Sequence, residues 1–90
     1  MLIEITNLNL NWIEADVRRL FYPFGEIGSV HLFRDGRNNR FSGKAHVEMP
    51  VKNEAHQAIS ALHGKILIGK SIYLLELPSK TEETALGASI

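Results

Sequence analysis

The sequence contains no cysteine, which removes disulfide frameworks, thiolate catalysis and every cysteine-ligated metal site at once. It also lacks a charge excess: Lys plus Arg is 10, Asp plus Glu is 10, and the formal net charge is zero. A chain that held nucleic acid by overall charge would carry a basic surplus, so only a local basic patch could serve that purpose here. No apolar run approaches the ~20 residues of a membrane span. Met1–Leu10 shows no basic start, no apolar run of signal length and no small-residue cleavage site. What is present is ordinary for a folded chain: 44% hydrophobic and 22% charged residues, too apolar for a disordered segment. At 90 residues there is room for one domain. A chain of this size buries roughly 60% of its unfolded surface, so its core is small. The expectation is a small, soluble, cytoplasmic domain.

Periodicity divides the chain into six elements. Leu2-Ile3-Glu4-Ile5-Thr6 alternates, with Ile3 and Ile5 on one face and Glu4 and Thr6 on the other, as a half-buried strand does. Asn7, Asn9 and Asn11 break it, and Asn11 with Glu14 reads as a helix N-cap and its capping-box partner. Ile13, Val17, Leu20, Phe21 and Phe24 then recur at helical spacing until Pro23 and Gly25 close the helix. A second strand is expected from about Ile27 to Phe33, and a third from Phe41 to Met49. Arg34–Arg40 is the polar connection between them, with a Gly and two Asn. In the third strand Gly43, Ala45, Val47 and Met49 share the apolar face, and Ser42, Lys44, His46 and Glu48 the other. Ala55, Ala58, Ile59 and Leu62 mark a second helix, stopped by His63-Gly64, and its start carries no obvious cap. Lys65 to Ile68 reads as a short extra strand turned by Gly69, and Ser71 to Leu77 as the last strand, ended by Pro78. Residues 79–90 have no apolar period and read as a mobile tail behind a domain at 1–78.

The order β-α-β-β-α-β is the split-βαβ, ferredoxin-like arrangement, an α+β sandwich of one four-stranded antiparallel sheet with two helices on one face. Nothing in the sequence covers the opposite sheet face, so its residues carry the functional question. Two segments on that sheet resemble the RNA recognition motif family. Ile3-Glu4-Ile5-Thr6-Asn7-Leu8 is similar to the family's first-strand hexamer, and Ser42-Gly43-Lys44-Ala45-His46-Val47-Glu48-Met49 to its third-strand octamer. Glu14–Phe21 with Phe24-Gly25-Glu26-Ile27, and Glu54–Gly64, resemble the family's two helices, so the likeness spans residues 2–78. It implies strands in the order 4-1-3-2 and single-stranded RNA as the partner.

The same resemblance shows what is missing. Family members stack bases on one aromatic in the hexamer and two in the octamer. Here those positions hold Glu4, Lys44 and His46, and the octamer's leading basic residue is Ser42. Stacking contributes about 1–3 kcal/mol per base, so three lost platforms weaken binding by several kcal/mol. The strand order implied by the resemblance sets His31 and Phe33 beside Lys44 and His46, and Tyr73 and Leu75 beside Glu4 and Thr6. Phe33, His46 and Tyr73 are therefore the candidate base contacts. Arg34, Arg37, Arg40 and Lys44 are the candidate phosphate contacts; residues 34–44 hold four basic groups against one acidic, Asp35. Each has a plainer reading: Phe33 and Tyr73 as cross-strand partners, the arginines as solvated loop residues, and Lys44 as an ion-pair partner of Glu4. His31 and His46 come together without an evident third metal ligand. His56 and His63 read as unremarkable helix-surface residues, and Trp12 as an apolar contact at the helix start.

Two other classes compete with RNA binding. An acylphosphatase-like enzyme of this fold needs an arginine-bearing phosphate loop after the first strand, and Thr6–Asn11 contains neither Arg nor Gly. No nucleophile–base set or glycine-rich phosphate motif replaces it, so the expectation is a non-catalytic domain without metal or cofactor. The second class is a protein-interaction module, or a homodimer through the sheet face, which His31, Phe33, Tyr73 and Leu75 would suit. The subclass that captures tryptophan-bearing peptides carries Arg-x-Phe before its last strand; Lys70-Ser71-Ile72 stands there instead.

Overall fold

The computed structural model describes residues 1–78; the segment read as a tail lies outside the described residues. Strands β1 (Leu2–Thr6), β2 (Ser29–Arg34) and β3 (Phe41–Glu48) and helices α1 (Glu14–Phe21) and α2 (Lys52–Leu62) follow the expected order. A small hairpin of β4 (Ile66–Leu67) and β5 (Lys70–Ser71) precedes the last strand, β6 (Tyr73–Leu77). The main sheet is antiparallel in the order β2-β3-β1-β6, which is the 4-1-3-2 arrangement that the family resemblance implies.

Period-two alternation in the two central strands builds the core. Ile3 and Ile5 of β1, and Ala45 and Val47 of β3, are fully buried on the helix side. Val17 and Phe21 of α1, and Ala55, Ala58 and Leu62 of α2, close over them, with Ile72 just before β6 and Leu74 within it. Burying a side chain such as Ile3 or Val47 contributes about 1.5–3 kcal/mol. Every even position of β1 is thereby left on the open face, because successive side chains of a strand point to opposite sides.

The helix boundaries differ from those expected. Asn11 does not cap α1: its N–H donates to Asn9 Oδ1 at 2.8 Å, and the Trp12 N–H donates to the Asn9 carbonyl at 3.1 Å. That turn consumes the first donors, so the helix begins two residues later. Ile13 sits at the cap position, and Asp16 Oδ2 accepts its N–H at 2.8 Å. This bond, with the Arg19 guanidinium beyond it, lowers the Asp16 pKa. The exit of α1 is a 3₁₀ turn, Tyr22–Phe24, opened by Pro23 near its start. The Glu54 carboxylate from α2 then accepts the Glu26 N–H at 3.0 Å and ties the turn to the second helix. In α2 the position before the first turn is Val51, which has no side-chain acceptor, so Asn53 lies inside the helix.

Strand β2 starts at Ser29 rather than Ile27, because the Gly28 N–H is held by the Glu48 carbonyl before regular pairing begins. The Lys65–Ile68 stretch and its partner form the β4–β5 hairpin, and Ser71 belongs to it rather than to the last strand. Its turn places Ile68 at φ 51° and Gly69 at φ 78°, the left-handed pair that a two-residue hairpin requires. Glycine adopts this freely; a β-branched residue is strained there.

Gly43 shows why the octamer needs glycine. It sits in β3 at φ 90°, and its carbonyl accepts the Leu8 N–H at 3.0 Å. A Cβ there would stand 3.2 Å from the Leu8 carbonyl oxygen and 3.3 Å from Leu10 Cδ2. The chain leaving β1 thus docks directly on β3. Gly43→Ala is expected to destabilise the domain by about 1–3 kcal/mol, and Ile68→Asn to stabilise it by up to about 1 kcal/mol. Urea unfolding midpoints at unchanged slope measure both.

Candidate nucleic-acid interface

The open face is laid out by the register of the four strands. His31 pairs with His46, His46 with Glu4, and Glu4 with Leu75, giving one row across the sheet. Tyr73 pairs with Thr6 in the next row, and Phe33 occupies the irregularity of β2 between Leu32 and Arg34. Phe33 and Tyr73 stand on the two edge strands, three strand spacings or about 14 Å apart, so one base cannot touch both.

The three positions at which the family stacks bases bond to one another. Glu4 Oε1 accepts from His46 Nε2 at 3.2 Å and pairs with Lys44 Nζ at 3.5 Å. An ionised carboxylate can only accept, so the imidazole carries its proton on Nε2 in this contact. Glu4 and His46 are each about one-fifth exposed, whereas the Lys44 side chain is nearly half exposed. The His46 hydrogen bond and the Lys44 charge hold the Glu4 carboxyl below its usual range, against the opposing pull of partial burial. The plainer reading of Lys44, as a partner of Glu4, is what the structure contains.

Phe33 is gathered into the same cluster. Its ring meets His31 at 4.5 Å and His46 at 4.6 Å, both edge-on, and Lys44 Nζ lies 4.9 Å from its centroid. The ring is half-buried, with an ammonium already over it. Tyr73 is freer, half exposed and in an edge contact with His63 at 6.0 Å. His63 is not the unremarkable residue expected. Its Nδ1 accepts the Leu74 N–H at 3.0 Å, tying the end of α2 to β6 and buttressing Tyr73. Tertiary placement alone creates that bond. His56 pairs with Glu76 at 3.6 Å on the helical side. Among the described residues no group of three or more His, Cys, Asp or Glu side chains is placed to hold a metal ion, and His31 with His46 remains a pair.

The arginine loop is an ordered hairpin. The Asp35 N–H donates to the Arg40 carbonyl at 2.7 Å, the Arg37 N–H to Asp35 Oδ1 at 2.8 Å, and the Arg40 N–H to Asn38 Oδ1 at 2.9 Å. Short polar side chains thus satisfy the turn locally, which a pattern of hydrophobicity cannot reveal. The three arginines do not act from one place. Arg34 turns back to donate to the Asn39 carbonyl at 3.4 Å and, with Arg40, lines a cleft against Trp12; Arg37 is at the tip. None of the three is in an ion pair among the described residues. The sheet face itself carries Lys44 against Glu4 and Glu48, so the positive charge lies at the loop end and not on the platform.

The depressed Glu4 pKa fixes the sign of a pH effect. A carboxyl whose folded pKa lies below its unfolded value near 4.5 stabilises the fold above that value. The contribution fades as pH falls through the lower, folded pKa. Glu4→Gln is expected to lose stability relative to the parent at neutral pH, with the difference shrinking in acid below the ordinary carboxylate range. Unfolding midpoints across pH, with the Glu4 side-chain carboxyl resonance, check this; a difference that grows in acid contradicts it.

The chain matches the RNA recognition motif over residues 3–73. It is 28% identical over 87 residues to polyadenylate-binding protein 6 of Arabidopsis thaliana, covering 97% of this chain and 16% of that protein. To a probable arginine/serine-rich splicing factor of Caenorhabditis elegans it is 30% identical over 70 residues, covering 78% of this chain and 36% of the relative. The chain therefore spans well under half of either relative's length. Among solved structures, RNA binding protein PG1 superposes with a TM-score of 0.79 at 30% identity, over 88% of this chain and 99% of that one. A Sxl-lethal protein–RNA complex superposes with a TM-score of 0.77 at 28% identity, over 82% of this chain and 46% of that one. With the fold, the strand order, the glycine-bearing octamer and the match over nearly all its described residues in agreement, this chain belongs to the RNA recognition motif family, as an atypical member whose three stacking positions hold Glu4, Lys44 and His46.

Proposed function

We propose that this non-catalytic domain binds single-stranded RNA weakly, with Phe33, His46 and Tyr73 against bases and Arg34, Arg37, Arg40 and Lys44 against phosphates. The observation that carries the reading is three arginines that, among the described residues, have no acidic partner, at one end of an open sheet face whose edges hold Phe33 and Tyr73. Membership of the family supports it, as does the likeness to a protein solved with RNA. Weakness follows from Glu4. A strand lying on the platform competes with that carboxylate for Lys44 and His46, and meets its negative charge as well. Binding is therefore borne mainly by the edges and the loop, with Lys44 and His46 contributing only as far as the strand displaces Glu4.

The test is an NMR titration of the labelled domain with pools of short single-stranded RNA at two salt concentrations. Neutralising three or four phosphates gives a slope of log affinity against log salt of about −2 to −3. Tyr73→Ala and Phe33→Ala are each expected to weaken binding by about 1–3 kcal/mol. Arg37→Glu with Arg40→Glu should weaken it for all sequences alike. Glu4→Gln, which frees Lys44 and removes the opposing charge, is expected to tighten binding while lowering stability. Full affinity in the Tyr73 and Phe33 variants removes the base contacts. An absence of shifts even at low salt removes RNA, and leaves a protein partner or a homodimer through the sheet face.

A further inference from the structure

The segment Leu10–Ile13 and the β2–β3 hairpin face each other across a cleft of about 560 Å³ that lies off the sheet platform. This falls within the roughly 300–1,000 Å³ of small-ligand sites. Its two walls differ in chemistry. On the hairpin side stand Arg34 and Arg40; on the other side are Trp12 and the side chains of Leu10 and Ile13, with Phe41 also in the lining. Leu10 and Ile13 are 57% and 61% exposed, large apolar groups left in water where the core had no use for them. Trp12 packs its inner part on the core and is only partly buried. Among the described residues neither arginine has a carboxylate partner, and no acidic side chain lines the cleft.

A cleft with two unpaired guanidinium groups facing an indole and an apolar rim matches a ligand that is anionic at one end and planar at the other. A nucleotide has that form: phosphate to a planar guanidinium fork, base to an aromatic face. The depression on the helical side, lined by Phe24, His56, Gln57, Ser60 and Ala61, has comparable volume but offers no guanidinium. We propose that the Trp12–Arg34–Arg40 cleft is a second nucleotide site, which takes one unpaired nucleotide of an RNA strand as it leaves the sheet. The base lies against Trp12 and the Leu10–Ile13 rim, and its phosphate lies between Arg34 and Arg40. The proposal rests on the reading of the domain as an RNA binder and moves the compensating contact away from the platform that Glu4 occupies. The ordered hairpin supports it, since Arg34 and Arg40 flank a turn already closed by the Asp35–Arg40 backbone bond. Little backbone ordering is then left for binding to supply.

Trp12 is the single tryptophan of the chain, so its fluorescence and its indole N–H resonance report on this cleft alone. Titration of the whole chain with short single-stranded RNA is expected to quench Trp12 and shift its indole N–H along with Tyr73 and the loop. Arg34→Gln with Arg40→Gln keeps two of each stem's three methylenes and removes the charge, and should weaken binding roughly tenfold or more. It should also lower the magnitude of the salt slope by about 0.7, one phosphate's worth on a single strand, and abolish the Trp12 response. Dispersed amide spectra confirm that this variant is folded. Arg37→Gln, at the hairpin tip, should weaken binding while leaving the Trp12 quench at saturation intact. RNA-dependent shifts on Tyr73 and the sheet with Trp12 silent would overturn the cleft and leave the RNA reading standing. No RNA response anywhere would overturn both. A Trp12 response to adenosine or uridine monophosphate with none to RNA would identify a free nucleotide and overturn the strand as its source.

Discussion

The pairing of β1 with β3 at the centre of the sheet is the constraint from which the other features follow. Both strands have neighbours on each side, and their alternate residues Ile3, Ile5, Ala45 and Val47 are buried without remainder under the helices. A one-residue slip would turn all four to solvent, so the register is held strongly. Once it is held, Glu4 has no freedom: it must face outward, directly opposite His46 and within reach of Lys44. The Leu8–Gly43 hydrogen bond fastens the end of the same pair, and the missing Cβ of Gly43 lets the β1 exit approach closely.

From that register comes an unusual division of labour on the surface. In the RNA recognition motif the middle of the sheet is an aromatic platform. Here it is a carboxylate bonded to an imidazole and an ammonium, with Phe33 drawn in as a fourth member. Such a cluster satisfies itself. It stabilises the sheet and leaves less for a ligand at the centre, whereas Tyr73 at one edge and the arginine hairpin at one end stay outside it. The platform has no net positive charge of its own, and the neutral chain concentrates its basic excess in residues 34–44.

The two buried helix stripes and the placing of Glu4, Lys44 and His46 on the open sheet face are legible in the sequence, because each depends on period two or on helical spacing over several residues; the sheet order is what the family resemblance implies. The boundaries that the structure moves share another cause. Asn11 has the spacing of a cap relative to Glu14, but Asn9 takes its N–H first; two local bonds of similar strength compete, and spacing cannot rank them. His63 has the pattern of a surface residue on a helix end, yet the return of β6 sets the Leu74 N–H against its ring. The three arginines read as one basic loop, but Arg34 folds back against the Asn39 carbonyl and leaves Arg37 alone at the tip.

The sequence by itself determined the architecture and the loss of the aromatic platform, since hydrophobic alternation and the identity of residues 4, 44 and 46 are properties of the linear chain. Only the tertiary structure decided which polar groups spend their bonds on one another and which remain open. Glu4 and His46 are 42 residues apart and meet through strand pairing. Trp12 faces Arg34 and Arg40 because the β1 exit and the β2–β3 hairpin converge on one side of the sheet. Such juxtapositions depend on distances in space between segments remote along the chain, and no local pattern of residues encodes a distance of that kind.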